Sequence, residues 1–127
     1  MIRFMLAIAL CAVGQAAAAE TWSCSVIDDG KPQIVKFTTT GGSVTMSDWG
    51  SRVMKDFGVD ATSKLRLITD TKDALVAIAE PYVNREPATW QEVSIKVYVI
   101  DKYTRELTIT KASTATKVVE MKGNCAQ

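Results

Sequence analysis

Residues 93–101, Val93-Ser94-Ile95-Lys96-Val97-Tyr98-Val99-Ile100-Asp101, carry the period-two alternation of a β-strand more clearly than any other stretch of the chain. Val93, Ile95, Val97 and Val99 fall on one face, with Ser94, Lys96 and Tyr98 on the other. The alternation predicts that the valine face enters the core while Lys96 and Tyr98 look outward. The same pattern recurs on both sides of this stretch. Residues 22–27 alternate, 34–39 place Val35 and Phe37 together, 43–47 place Val44 and Met46 together, and 64–69 pair Leu65 with Leu67. Residues 106–111 pair Leu107 with Ile109, and residues 117–121 read as the closing strand before Gly123-Asn124-Cys125.

Residues 74–79 are continuously apolar, which predicts a central strand covered on both faces. Turn chemistry separates these segments at Asp28-Asp29-Gly30-Lys31, Gly41-Gly42, Asp70-Thr71-Lys72-Asp73 and residues 101–105. Residues 81–92 contain Pro81 and Pro87 and are expected to be a loop, because proline removes a ladder donor and fits poorly inside a strand or helix. In residues 48–63, Val53, Met54 and Phe57 have the spacing of one short helical turn, with Ser51 as its cap and Gly58 at its end. The expected fold is all-β: an eight-stranded antiparallel barrel or sandwich with one short helical turn, after an N-terminal signal helix.

That signal occupies residues 1–19. Arg3 precedes an apolar run over residues 4–13, and small residues follow, with Ala17 and Ala19 where a signal peptidase reads. The run is shorter than the ~20 apolar residues of a spanning helix. Leu10 before Cys11 does not fit a lipidation site, so Cys11 is expected to leave with the signal. Residues 20–127 are then one β-rich domain in the periplasm or secreted, with no membrane insertion. Losing Arg3 leaves fourteen basic residues against fourteen acidic ones, and these are interspersed. No basic stripe for nucleic acid is present.

Two cysteines remain in that domain, at its opposite ends, and in an oxidising compartment Cys24 and Cys125 are expected to form one structural disulfide. They lack the C-x-x-C proximity of a redox pair. The chain contains no histidine, which excludes Ser-His-Asp and Cys-His catalysis and removes a common metal ligand. Asp28-Asp29-Gly30 lacks the further ligands of a calcium loop and reads as a turn. No enzyme activity, metal or cofactor is expected. The candidate binding residues are Tyr82 and Trp90, aromatics on the proline-braced segment, with Trp49 as a second site.

The order Trp22-Ser23-Cys24, Val35-Lys36-Phe37, Asp48-Trp49-Gly50, Ala74-Leu75-Val76-Ala77-Ile78 and Gly123-Asn124-Cys125 resembles small exported, periplasmic proteins of Gram-negative bacteria that share an end-to-end disulfide. The resemblance implies export, the disulfide and a β architecture, and brings no activity with it. A looser similarity is to the lysozyme-inhibitor barrels, although the Ser-Gly motif and the Phe-Trp segment of those inhibitors are missing between residues 64 and 117. The expected function is that of a noncatalytic exported envelope protein acting by surface recognition of another protein. The alternatives are a small-ligand-binding β-barrel and an inhibitor of a cell-wall hydrolase.

Overall fold

The computed structural model describes residues 19–28, 30–47, 62–86, 88–89 and 91–127. The expected signal helix and the helical turn over residues 51–58 lie outside them. The described chain forms β1 (Thr21–Asp28), β2 (Lys31–Thr40), β3 (Ser43–Ser47), β4 (Thr62–Asp70), β5 (Ala74–Ile78), β6 (Tyr82–Asn84), β7 (Glu92–Asp101), β8 (Glu106–Ser113) and β9 (Val119–Ala126). All pairings are antiparallel, and eight of the nine strands close a ring through the β1–β9 and β5–β7 contacts. The ninth, β6, continues the line of β5 along β7, with Tyr82 opposite Ser94 and Val83 opposite Val93.

Tight reversals set the registers. Gly41 and Gly42 both have positive φ, 51° and 90°, and join Thr40 to its partner Ser43 by the two-residue turn that matches strand twist. In the β7–β8 turn the Asp101 carboxylate accepts the Tyr103 and Thr104 N–H groups at 2.9 and 3.0 Å. Arg105 then takes a left-handed conformation, φ 62°. On β4 a register shift at Ile68 turns Asp70 to the inner side opposite Leu75, an instance of a bulge re-aiming a side chain.

The ring closes at Cys24 and Cys125, which lie directly opposite each other on β1 and β9 with Cα atoms 3.9 Å apart and are joined by a disulfide. The Cys125 N–H bonds to the Arg105 carbonyl at 2.7 Å, on the β8 side. The cysteine pair is therefore the close kind of antiparallel pair without hydrogen bonds between its members. Both cysteines sit inside the ladder, whereas the sequence reading put Cys125 just beyond the last strand. Gly123, likewise placed after the closing strand, belongs to β9 and is buried against β1. A Cβ at that position would lie 2.5 Å from the Ser25 carbonyl oxygen and 2.7 Å from Val26 Cγ1.

The interior is filled by side chains from every wall: Trp22 and Val26 from β1, Val35 and Phe37 from β2, Val44 and Met46 from β3, Leu65 from β4, Leu75 and Ala77 from β5, Tyr98 and Ile100 from β7, and Leu107 and Ile109 from β8. The Phe37 and Tyr98 rings, from strands on opposite sides of the ring, meet at 5.7 Å in a tilted contact.

Two expectations are corrected here. The inner face of β7 is Glu92, Ser94, Tyr98 and Ile100, so Val93, Ile95, Val97 and Val99 point outward and are only half-buried. Lys96 is exposed as expected, although its register places it on the Tyr98 side. The physical reason is register: Ile109 and Leu107, both core residues, pair with Tyr98 and Ile100. The second correction is β6, formed in the segment expected to be loop because Pro81 stands just outside the three paired residues. Residues 74–79 are likewise not central, since a closed ring has no centre or edge.

Ile100→Asp should cost more than ~3 kcal/mol by burying an unpaired charge, while Val97→Asp should cost ~1 kcal/mol through strand propensity. Gly123→Ala should cost ~1–3 kcal/mol by pushing β9 from β1. Urea midpoints of the three variants check the order.

Candidate outer-wall recognition site

With the valines of β7 outside, three neighbouring strands present one aliphatic surface. Ile78, Val97 and Thr110 form one cross-strand row, and Val76, Val99 and Thr108 form the next. Toward the β6 end the rows continue as Ile95 with Ala112 and as Val83 with Val93. None of these residues is charged. Val76, Ile78, Val93, Ile95, Val97 and Val99 are half-buried on this face, while Val83 and Ala112 are exposed. An open groove of about 450 Å³ lies at the β6 end of this wall only, lined by Val93, Ile95 and Ala112 together with Pro81, Ser94, Ser113 and Thr114. The wall holds no nucleophile, acid or base, and what it can do is exclude water against another apolar surface. Other exposed aliphatics, such as Ile27 and Ile34, are separated from it by the ring.

On β6, Val83 is 52% exposed and continues the wall opposite Val93, whereas Tyr82, 56% exposed, lies opposite Ser94 and so on the other face of the strand. Trp90 and Trp49, the other two binding candidates, lie outside the described residues. The valines were missed as surface residues. The available signal was that Val97-Tyr98-Val99-Ile100 is apolar on both faces, which asks for cover on both.

Each end of the barrel carries an ionic cluster. At the β6 end, the buried Glu92 carboxylate accepts the Ser113 hydroxyl at 2.9 Å and pairs with the Lys111 ammonium at 3.2 Å. Those two donors outweigh desolvation and hold Glu92 below the ordinary 4.5. At the opposite end Lys102, its side chain 8% exposed, joins Glu20 at 3.0 Å and Asp70 at 2.6 Å. The Trp22 indole N–H also donates to Glu20 at 3.3 Å. Hydrogen bonding from Lys102, aided by Trp22 and opposed by burial, lowers the Glu20 pKa. Burial pushes Lys102 down, but its bonds to Asp70 and Glu20 outweigh it, and its pKa is raised. Backbone N–H donation from Thr104, then Tyr103, lowers Asp101 despite desolvation.

Among the described residues no group of three or more His, Cys, Asp or Glu side chains converges as a metal site, and no helix is long and apolar enough to cross a membrane. No protein-family model, curated protein or solved structure matches the chain.

The carboxylates of Glu20, Glu92 and Asp101 are depressed on folding, so their contribution is fully present above the ordinary values of 4.5 and 3.8 and is lost as pH falls through the lower folded values. Lys102 is raised, so its contribution is complete below 10.5 and is lost as pH rises through its folded value. Urea midpoints should therefore be flat near neutrality and fall at both extremes. Lys102→Met should remove the alkaline loss, and Glu92→Gln should shrink the acid loss.

Proposed function

We propose that this chain is a noncatalytic exported protein of the bacterial envelope, periplasmic or secreted, that acts by surface recognition of another protein. The contact is the outer wall of β5, β7 and β8, with Val83 at its margin and the exposed Tyr82 on the adjoining face of β6. The observation that carries this reading is the outward aliphatic row Val93, Ile95, Val97 and Val99, uncharged and continuous with Val76 and Ile78. Strand propensity accounts for single β-branched residues on an outer face but not for the absence of charge across neighbouring strands, and an interface core is depleted of charge. Export is supported by the Ala17-x-Ala19 pattern and by a disulfide of the kind that persists in oxidising compartments. The partner surface is aliphatic and uncharged over a comparable area. A rigid strand wall loses little conformational entropy on docking. The Phe37–Tyr98 contact across the interior favours this reading over a ligand held inside the barrel.

A photo-cross-linking residue at Val97, compared with one at Lys122 on the outer face of β9, tests the site in intact envelopes. Position 97 should give a discrete protein adduct that position 122 does not, and Ile95→Lys should abolish it without lowering the melting temperature by more than a few degrees. Equal labelling from both positions, or an adduct unchanged by Ile95→Lys, contradicts the proposal.

A further inference from the structure

We infer that the Ala19–Glu20 peptide bond is a processing site whose cleavage completes the ionic closure of the Glu20 end of the barrel. The inference deepens the export half of the proposed function and is independent of the outer wall. Glu20 is the point where the chain becomes held. Its N–H donates to Thr39 Oγ1 at 3.1 Å, and its carbonyl accepts the Thr39 N–H at 2.9 Å. Its carboxylate accepts Lys102 Nζ at 3.0 Å and Trp22 Nε1 at 3.3 Å. Ala19, one residue earlier, is exposed and makes none of these contacts. The bond that Ala17 and Ala19 mark for a peptidase thus lies between the exposed Ala19 and the hydrogen-bonded Glu20.

Charge gives the cut a structural consequence. Lys102 is a single cation between two carboxylates, Glu20 and Asp70, so the cluster is one positive charge short. Hydrolysis adds water across the C–N bond: the hydroxyl completes a carboxylate on Ala19, and the amine released on Glu20 takes up protons to become an ammonium at neutral pH. That ammonium arises at the atom already bonded to Thr39 Oγ1 and still donates to it. Two cations then balance two anions at a closed, partly desolvated end, where each charge is screened less than on open surface. An uncut chain has a neutral amide at the same place.

Intact-mass measurement of the exported protein and a melting comparison of two purified chains, residues 20–127 and 18–127, test the two halves. The exported mass should be that of residues 20–127. At low salt the chain beginning at Glu20 should melt higher by ~2–5 °C, a gap that narrows in high salt. An exported protein beginning at another residue overturns the processing site. A protein of full mass retained in the cytoplasm overturns the export reading along with it. Coincident melting curves at low salt overturn the ionic closure, even with the site correct. Lys102→Met in both chains supplies the control. With Lys102 absent the cluster is anionic in either chain, so the gap should persist or widen, and a gap that vanishes would contradict an origin in the net charge of this cluster.

Discussion

The in-register bond between Cys24 and Cys125 is the constraint on which the remaining geometry depends. It fixes one pair of facing residues on the first and last strands of a ring, and with it which side of each strand is inside. From Cys125 the parity passes along β9 to Gly123 and Met121, which face Leu107 and Ile109 on β8. Those residues face Ile100 and Tyr98 on β7, and these in turn face Leu75 and Ala77 on β5. In the other direction Cys24 faces Val35, and Phe37 faces Met46. The two routes meet at β4 and β5. They agree at Leu67 opposite Ala77, and beyond that pair a one-residue shift at Ile68 turns Asp70 inward to Lys102. Because the bridge spans 101 positions, a chain-entropy model assigns it ~4.7 kcal/mol. Its topological effect is larger, since no strand can slip by one residue without turning its core face to water.

That parity sends the most hydrophobic row of the chain outward. Closure puts Tyr98 against Phe37 and Ile100 among Leu75 and Leu107, leaving Val93, Ile95, Val97 and Val99 for the exterior. The outer wall is therefore a consequence of ring closure, and its aliphatic composition is extra to what the core needs. The same closure makes the two ends unlike. One is drawn shut by short reversals and by Lys102 between Glu20 and Asp70, while the other holds Glu92 and the short strand β6.

Much of the fold was legible where hydrophobic and polar positions alternate cleanly. Val35 and Phe37, Val44 and Met46, Leu65, and Leu107 and Ile109 all lie inside as their spacing indicates, because Lys36, Thr45, Lys64 and Thr108 mark the opposite face. In β7 both faces are apolar over residues 97–100, and alternation alone cannot choose between them. Pairing with β8 chooses, and that is a long-range fact. Gly123 was placed after the closing strand, yet within β9 it admits the β1 backbone at close range. Of the three aromatics expected to bind, Tyr82 is exposed on β6 while Trp90 and Trp49 lie outside the described residues, and the valines of the proposed wall were assigned to the core.

Chemical nitration of the native protein followed by peptide mapping tests the parity most directly, because the three tyrosines report on it without any substitution. Tyr103 is 90% exposed and Tyr82 56%, while Tyr98 is 5%. Nitration of Tyr103 and Tyr82 with Tyr98 protected until the protein unfolds is the result predicted by a ring closed at Cys24 and Cys125. Modification of Tyr98 in the folded protein at a rate comparable to Tyr82 would mean that the valine row lies inside and that the outer wall does not exist.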